Sequence, residues 1–191
     1  MLKVLVPIAD GSEEMEAVII VDILRRADIT VSIASVMTNR KVIASRGVEI
    51  EADCHIEYCQ NKDWDMVVIP GGMPGAQHMA ESLPLRDIIA DQISSQRWLA
   101  AICAAPAVVL AANGFISGAS ATCYPAFRDV LEQHNVRAMN EPVSIYNKLV
   151  TGQGPGAAMD FALTLVALLV GDVKADGIAR DMCFSRLAST Y

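Results

Sequence analysis

Short apolar runs alternate with longer segments of helical periodicity along the whole chain. Residues 2–9 (LKVLVPIA) make an almost unbroken apolar run of strand length and read as a buried strand. Residues 13–27 carry apolar positions at helical spacing and end near Arg25 and Arg26, cations that suit a helix C-terminus. Residues 29–36 (ITVSIASV) read as a second strand, and 41–51 alternate in part, as a short hairpin does. WDMVVIPGG is a buried strand entering a glycine turn, and helical patterns follow at 74–82 and 84–96. Trp98–Ile102 is another apolar run, followed by Cys103 and an alanine- and valine-rich segment that reads as a helix. A strand is predicted near 119–123 and a helix near 125–133. PVSIYNKLVTGQGPG reads as a hairpin with an Asn147-Lys148 turn. Residues 157–170 form a helix that is apolar on nearly every side, Gly171 stops it, and a last helix runs over 172–183.

Alternating β and α with continuous apolar strands means an α/β protein, its parallel sheet covered by helices on both faces. With no linker, low-complexity tract or internal repeat, one domain is expected over 1–191. In such sheets, sites gather at the carboxyl ends of strands. Three segments fall there: ADGSEEME, IPGGMPG and ICAAP.

Composition narrows the function classes. Hydrophobic residues are 53% and charged residues 19%, enough for a sizeable core. A net charge of −7 with no basic stripe excludes the electrostatic footprint of a nucleic-acid binder. Residues 98–127 carry no charge, but Pro106, Asn113, Gly114, Gly118 and Pro125 interrupt them. They are therefore not expected to span a membrane. The cysteines number five (Cys54, Cys59, Cys103, Cys123, Cys183), without a CxxC pair, and no leader pattern opens the chain. Free thiols in a reducing cytoplasm are expected.

Cys103 stands where a strand gives way to a helix. A helix N-terminus offers unpaired N–H groups and partial positive charge, and Pro106 suits its first turn. That setting activates a thiol; a buried structural cysteine is the other reading. On the 13–27 helix, Glu16 shares a face with Ile20, Ile23 and Ala27 and so points toward the core. A buried carboxyl is protonated or hydrogen-bonded. It acts either as a proton donor beside a thiolate or as a bond to backbone. Glu13 is a candidate second inward acid, and Glu14 is expected in solvent. Met15, Val18 and Val21 lie off the Glu16 face, so the helix has spare apolar surface for a partner. Gly71 and Gly72 can offer backbone N–H groups to an oxyanion. The stretch GQGPG at 152–156 resembles an anion cradle without a P-loop lysine. His55, His78 and His134 make no metal-ligand spacing, and no metal is expected. Met73, Met79, Met139 and Met159 read as core filler.

Together DGSEEMEAV, SRGV, VVIPGGMPGA, AAICAAPAVVL and TGQGPGAAMDFAL resemble the ThiJ/PfpI superfamily, most closely its DJ-one branch, in one order over nearly the whole chain. The resemblance implies a flavodoxin-like three-layer sandwich with a mainly parallel central sheet, usually a homodimer. It also implies that Cys103 is a reactive, oxidisable cysteine and Glu16 its protonated partner. Gly72 and Ala104 would face the pocket with their amides, Arg46 and Arg26 would lie near a pocket formed by the dimer, and Met15 would lie at its interface. Two positions depart from relatives. Ala104 stands where family peptidases carry histidine, and Tyr124 where one relative has a pocket histidine; Cys123 beside it is a possible second thiol. The implied activity is a cofactor-free glyoxalase or deglycase acting on methylglyoxal or glyoxal adducts, protective under carbonyl and oxidative stress. The alternatives are a redox-sensing chaperone that uses Cys103 oxidation and a small-amide cysteine hydrolase or peptidase. Two electrostatic expectations follow: Cys103 has the lowest pKa of the five thiols, and Glu16 is protonated at neutral pH.

Overall fold

The computed structural model describes residues 1–186. Its central sheet has seven strands: β1 (Lys3–Ile8), β2 (Thr30–Ser35), β5 (Cys54–His55), β6 (Met66–Ile69), β7 (Trp98–Ile102), β10 (Val143–Tyr146) and β11 (Leu149–Gly152). Their order across the sheet is β10-β11-β7-β6-β1-β2-β5, parallel throughout except for the β10–β11 hairpin. The predicted hairpin at 41–51 is β3 (Lys41–Ile43) and β4 (Glu49–Glu51), a separate antiparallel pair. β8 (Ser120–Ala121) pairs with β9 (Arg137–Ala138), a strand too short to leave a pattern.

The apolar runs are buried on both faces because alternate residues feed different cores. Val4, Val6 and Ile8 of β1 join Val68 and Ile102 under α1 (Glu14–Arg26), α5 (Ala158–Val170) and α6 (Asp172–Asp181). Leu5 joins Val67, Ile69 and Leu99 on the other side. There α2 (Gly75–Glu81), α3 (Leu83–Ser94) and α4 (Arg128–Gln133) cover the sheet. This is the three-layer α/β arrangement that the alternating pattern predicted. α5 is apolar almost all round because it lies on the sheet between α1 and α6, with Phe161, Ala162, Leu163, Leu165 and Val166 fully buried.

Two expectations need correction. The helix after Cys103 is a short π-helical segment over Pro106–Ala111, not a long α-helix. Of the four methionines read as core, Met79 is fully buried, while Met73 is 45% exposed. Among the described residues, no helix is long and apolar enough to cross a membrane.

The topology fixes where a site can form. From β1 the chain runs outward to β2 and β5, then returns to place β6 on the other side of β1. The carboxyl ends of β1 and β6 therefore diverge into a crevice, the usual place for a ligand in an open α/β sheet. The loops after β1, β6 and β7 meet there.

Candidate active site

Three side chains or loops converge at that crevice from separate strands. α1 starts just past β1 and carries Glu16 in its first turn. The loop after β6 carries Gly71 and Gly72, and Cys103 follows β7 directly.

Cys103 has φ +64°, a left-handed conformation uncommon for a residue with a side chain. Its backbone is held from both sides. The N–H donates to the Gly152 carbonyl at 3.0 Å, and the Cys103 carbonyl accepts the Tyr124 N–H at 2.8 Å. The turn presses Cys103 against the β6 loop so closely that Gly71 has no room for a side chain. A Cβ there would stand 2.5 Å from the Cys103 Cβ. Gly72, at φ +90°, is equally confined: a Cβ would meet the Glu13 nitrogen and the Gly11 carbonyl oxygen, each at 2.4 Å. The glycine pair lets three loops touch.

Glu16 is fully buried. Its Oε2 accepts the Gly71 N–H at 2.8 Å, while Oε1 is buried without a hydrogen-bond partner. Burial raises its pKa from 4.5 to about 7. The Gly71 and Cys103 contacts pull it down, and the nearby Glu13 charge adds to the rise. Cys103 is 8% exposed, and burial together with the Glu16 carboxylate pushes its thiol up to about 12. The N–H groups of Gly72 and Ala104 act on the sulfur in the opposite sense and favour its charged form. The expectation that Cys103 has the lowest pKa of the thiols is therefore corrected. Depth of burial and a neighbouring acid outweigh the backbone amides. Glu16 and Cys103 are two acids buried together, and such a pair titrates as a unit.

Other expected residues fall into place or away. Gly71 was expected to offer its amide to an oxyanion, but that N–H is spent on Glu16. Gly72 and Ala104 have amides at the sulfur. Tyr124 lies beside Cys103 through its backbone. Its ring lines an open pocket of about 390 Å³ with Pro142, Gln153 and Gly154 of the GQGPG segment. Arg46 turns its side chain to solvent and reaches the site region by its backbone N–H, 2.8 Å from Glu14 Oε1. Arg26 sits ten residues along α1 from Glu16 of the same chain, about 15 Å of helix, and pairs with Asp22 at 2.6 Å. Glu14 is not solvated; it is 7% exposed and accepts from Ser45 Oγ and the Arg46 N–H, both at 2.8 Å. Burial opposes its charge, yet these bonds and others from backbone N–H groups win and lower its pKa. Glu13 accepts from the same Ser45 hydroxyl at 2.9 Å. Ser45 thus joins two acids beside the site, and nothing in the local sequence marks it. Cys123 is fully buried, its Sγ donating to the Tyr124 carbonyl at 3.3 Å. Among the described residues, no cluster of three or more His, Cys, Asp or Glu is arranged to hold a metal.

A mainly parallel seven-stranded sheet between helical layers, with this cysteine turn at its carboxyl edge, defines a flavodoxin-like α/β protein. The chain belongs to the DJ-1/PfpI family, whose model matches residues 2–168. It is similar to Protein DJ-1 homolog B of Arabidopsis thaliana, at 39% identity over 91% of this chain. It spans 39% of that longer relative, well under half its length. It is also similar to the Glutathione-independent glyoxalase DJR-1.2 of Caenorhabditis elegans, at 31% identity over 93% of each. Among solved structures, oxidized Toxoplasma gondii DJ-1 superposes with a TM-score of 0.93 at 40% identity, over 97% of this chain and all of that one.

The Glu16 shift sets a stability prediction. Its folded pKa lies above the unfolded value, so its contribution is full below pH 4.5 and is lost as pH rises through about 7. The full loss corresponds to about 3 kcal/mol. Glu16→Gln keeps an acceptor for Gly71 but cannot ionise. In urea unfolding, the variant should match wild type near pH 5 and exceed it at pH 9. A stability difference that does not change with pH would contradict this.

Proposed function

We propose that the chain is a cysteine-dependent, cofactor-free glyoxalase that converts methylglyoxal to lactate. The same chemistry would act on glyoxal adducts of proteins and nucleotides, a deglycase role protective under carbonyl and oxidative stress. The observation that carries the proposal is the pairing of Cys103 with Glu16, whose Oε1 is buried without a partner. The relative named a glutathione-independent glyoxalase supports it.

Above about pH 7 the pair keeps one proton between two acids. When that proton rests on Glu16 Oε1, the charge rests on Cys103 Sγ, facing the Gly72 and Ala104 amides. The thiolate adds to the aldehyde carbon of methylglyoxal. The carbonyl electrons move to oxygen, which takes the Glu16 proton and leaves a hemithioacetal. The Glu16 carboxylate then removes the hydrogen from the former aldehyde carbon, leaving an enediolate, and returns it to the adjacent carbon, while the hydroxyl proton passes from the first oxygen to the second. The product of this internal transfer is a lactoyl thioester on Cys103. Water hydrolyses it, releasing lactate and restoring the thiol. No external oxidant or glutathione enters, because the protein's own sulfur plays the thiol's part.

A second reading uses the same sulfur: oxidation of Cys103 toward the sulfinic acid, held by protonated Glu16, as the switch of a redox-responsive chaperone. The relative solved in an oxidized state supports it. The two readings separate by assay. Lactate formation by the reduced protein supports the enzyme, and suppression of aggregation only after peroxide treatment supports the switch.

The assembly is proposed to be a homodimer through the outer face of α1. Met15 and Val18 are 55% and 53% exposed there, although Val21, expected beside them, is buried. Ile43 and Val48 of the neighbouring β3–β4 hairpin add exposed apolar surface. Light scattering at micromolar concentration should give twice the chain mass; a monomer would contradict this interface.

For catalysis, wild type should release lactate from methylglyoxal and Cys103→Ser should release none. Its kcat/KM should fall as pH drops through about 7, where Glu16 takes up a proton and the pair becomes fully protonated. Glu16→Gln should lose that limb and about 10²–10⁴-fold in rate. Full turnover in either variant would sink the mechanism.

A further inference from the structure

The dithiol at the far edge of the sheet is unused by the mechanism above. Cys54 ends the sheet in β5, and Cys59 closes the single 3₁₀ turn that follows, Ile56–Cys59. Their Sγ atoms lie 3.6 Å apart, in van der Waals contact. A disulfide needs about 2.05 Å between sulfurs, so rotation about the side-chain bonds has to close about 1.5 Å. The two thiols differ in access: Cys54 is half-buried, whereas Cys59 is 1% exposed. Four strand spacings separate β5 from β7, about 19 Å, so neither thiol can resolve an oxidised Cys103.

We propose that Cys54 and Cys59 form a reversible dithiol–disulfide site that reacts with hydroperoxides independently of Cys103. The accessible Cys54 is the sulfur that meets the oxidant. Its thiolate attacks the peroxide, the O–O bond breaks, and Cys54 becomes a sulfenic acid while the other oxygen leaves as water or alcohol. The Cys59 sulfur then attacks the Cys54 sulfur. The S–O bond breaks, the hydroxyl leaves with the Cys59 proton as water, and the S–S bond forms. Two thiols are oxidised and one hydroperoxide is reduced. Burial and the neighbouring Cys54 push the Cys59 thiol up to about 12, which suits the resolving partner rather than the first to react.

The turn carries a built-in reporter. The Cys59 carbonyl accepts the indole N–H of buried Trp64 at 3.1 Å. Closing the disulfide shifts that carbonyl, so Trp64 fluorescence should follow the bond.

The sequence makes the test direct. No Lys or Arg lies between Gly47 and Lys62, so both cysteines fall in one tryptic peptide, 47–62. The wild-type protein is treated with a few equivalents of hydrogen peroxide, blocked with iodoacetamide and digested without reductant. The expected result is peptide 47–62 lighter by two hydrogens and unalkylated. Dithiothreitol should reverse this together with the fluorescence change. Cys59→Ser should instead leave a Cys54 sulfenic acid that dimedone captures. Three results would overturn the proposal: both thiols still alkylated after excess peroxide, Cys54 overoxidised beside a free Cys59, or Cys54 linking two chains.

Discussion

Two acids of like charge share one buried place, and the arrangement of the candidate site turns on how they divide a proton. Glu16 and Cys103 arrive from different strands and are both driven toward their neutral forms by burial. Each negative charge makes the other harder to form. The backbone decides where a single charge is tolerated. Gly71 offers its N–H to Glu16, and Gly72 and Ala104 offer theirs to the sulfur. The two ends of the pair are thus both prepared for charge.

The fold holds this pair by contact between loops rather than by a layer of supporting side chains. The left-handed turn at Cys103 is pinned by Gly152 and Tyr124. The glycine pair lets that turn, the β6 loop and the start of α1 approach to distances that a methyl group would forbid. The Glu13 N–H donates to the Gly71 carbonyl at 2.9 Å, tying α1's first turn to the same loop. The strand order places all three at the crevice where β6 returns beside β1. Topology, glycine placement and acid pairing therefore act on the same few atoms.

Much of this was legible in the chain. The apolar runs marked β1, β6 and β7 because burial on both faces leaves no alternation to confuse with a surface strand. Glu16 betrayed itself by sharing a helical face with Ile20 and Ile23, and Cys103 by standing where strand gives way to helix. The failures have physical causes. Glu14 was placed in solvent because the β3–β4 hairpin that covers it comes from 31 and more residues away and leaves no local trace. The Cys103 thiol is raised rather than lowered: helix-end charge can be read from sequence, whereas depth of burial cannot. The Cys54–Cys59 contact escaped notice because five-residue spacing has meaning only once the 3₁₀ turn folds the two sulfurs together.

The Glu16 charge restrains the Cys103 thiol, a claim open to direct test. Its most direct test is the ultraviolet titration of the Cys103 thiolate, taken as the difference from Cys103→Ser, in wild type and Glu16→Gln. Removing the carboxylate charge should lower the Cys103 pKa and speed its alkylation at neutral pH, even as turnover is lost. A Cys103 titration that is unchanged, or shifted upward, in Glu16→Gln would contradict the claim.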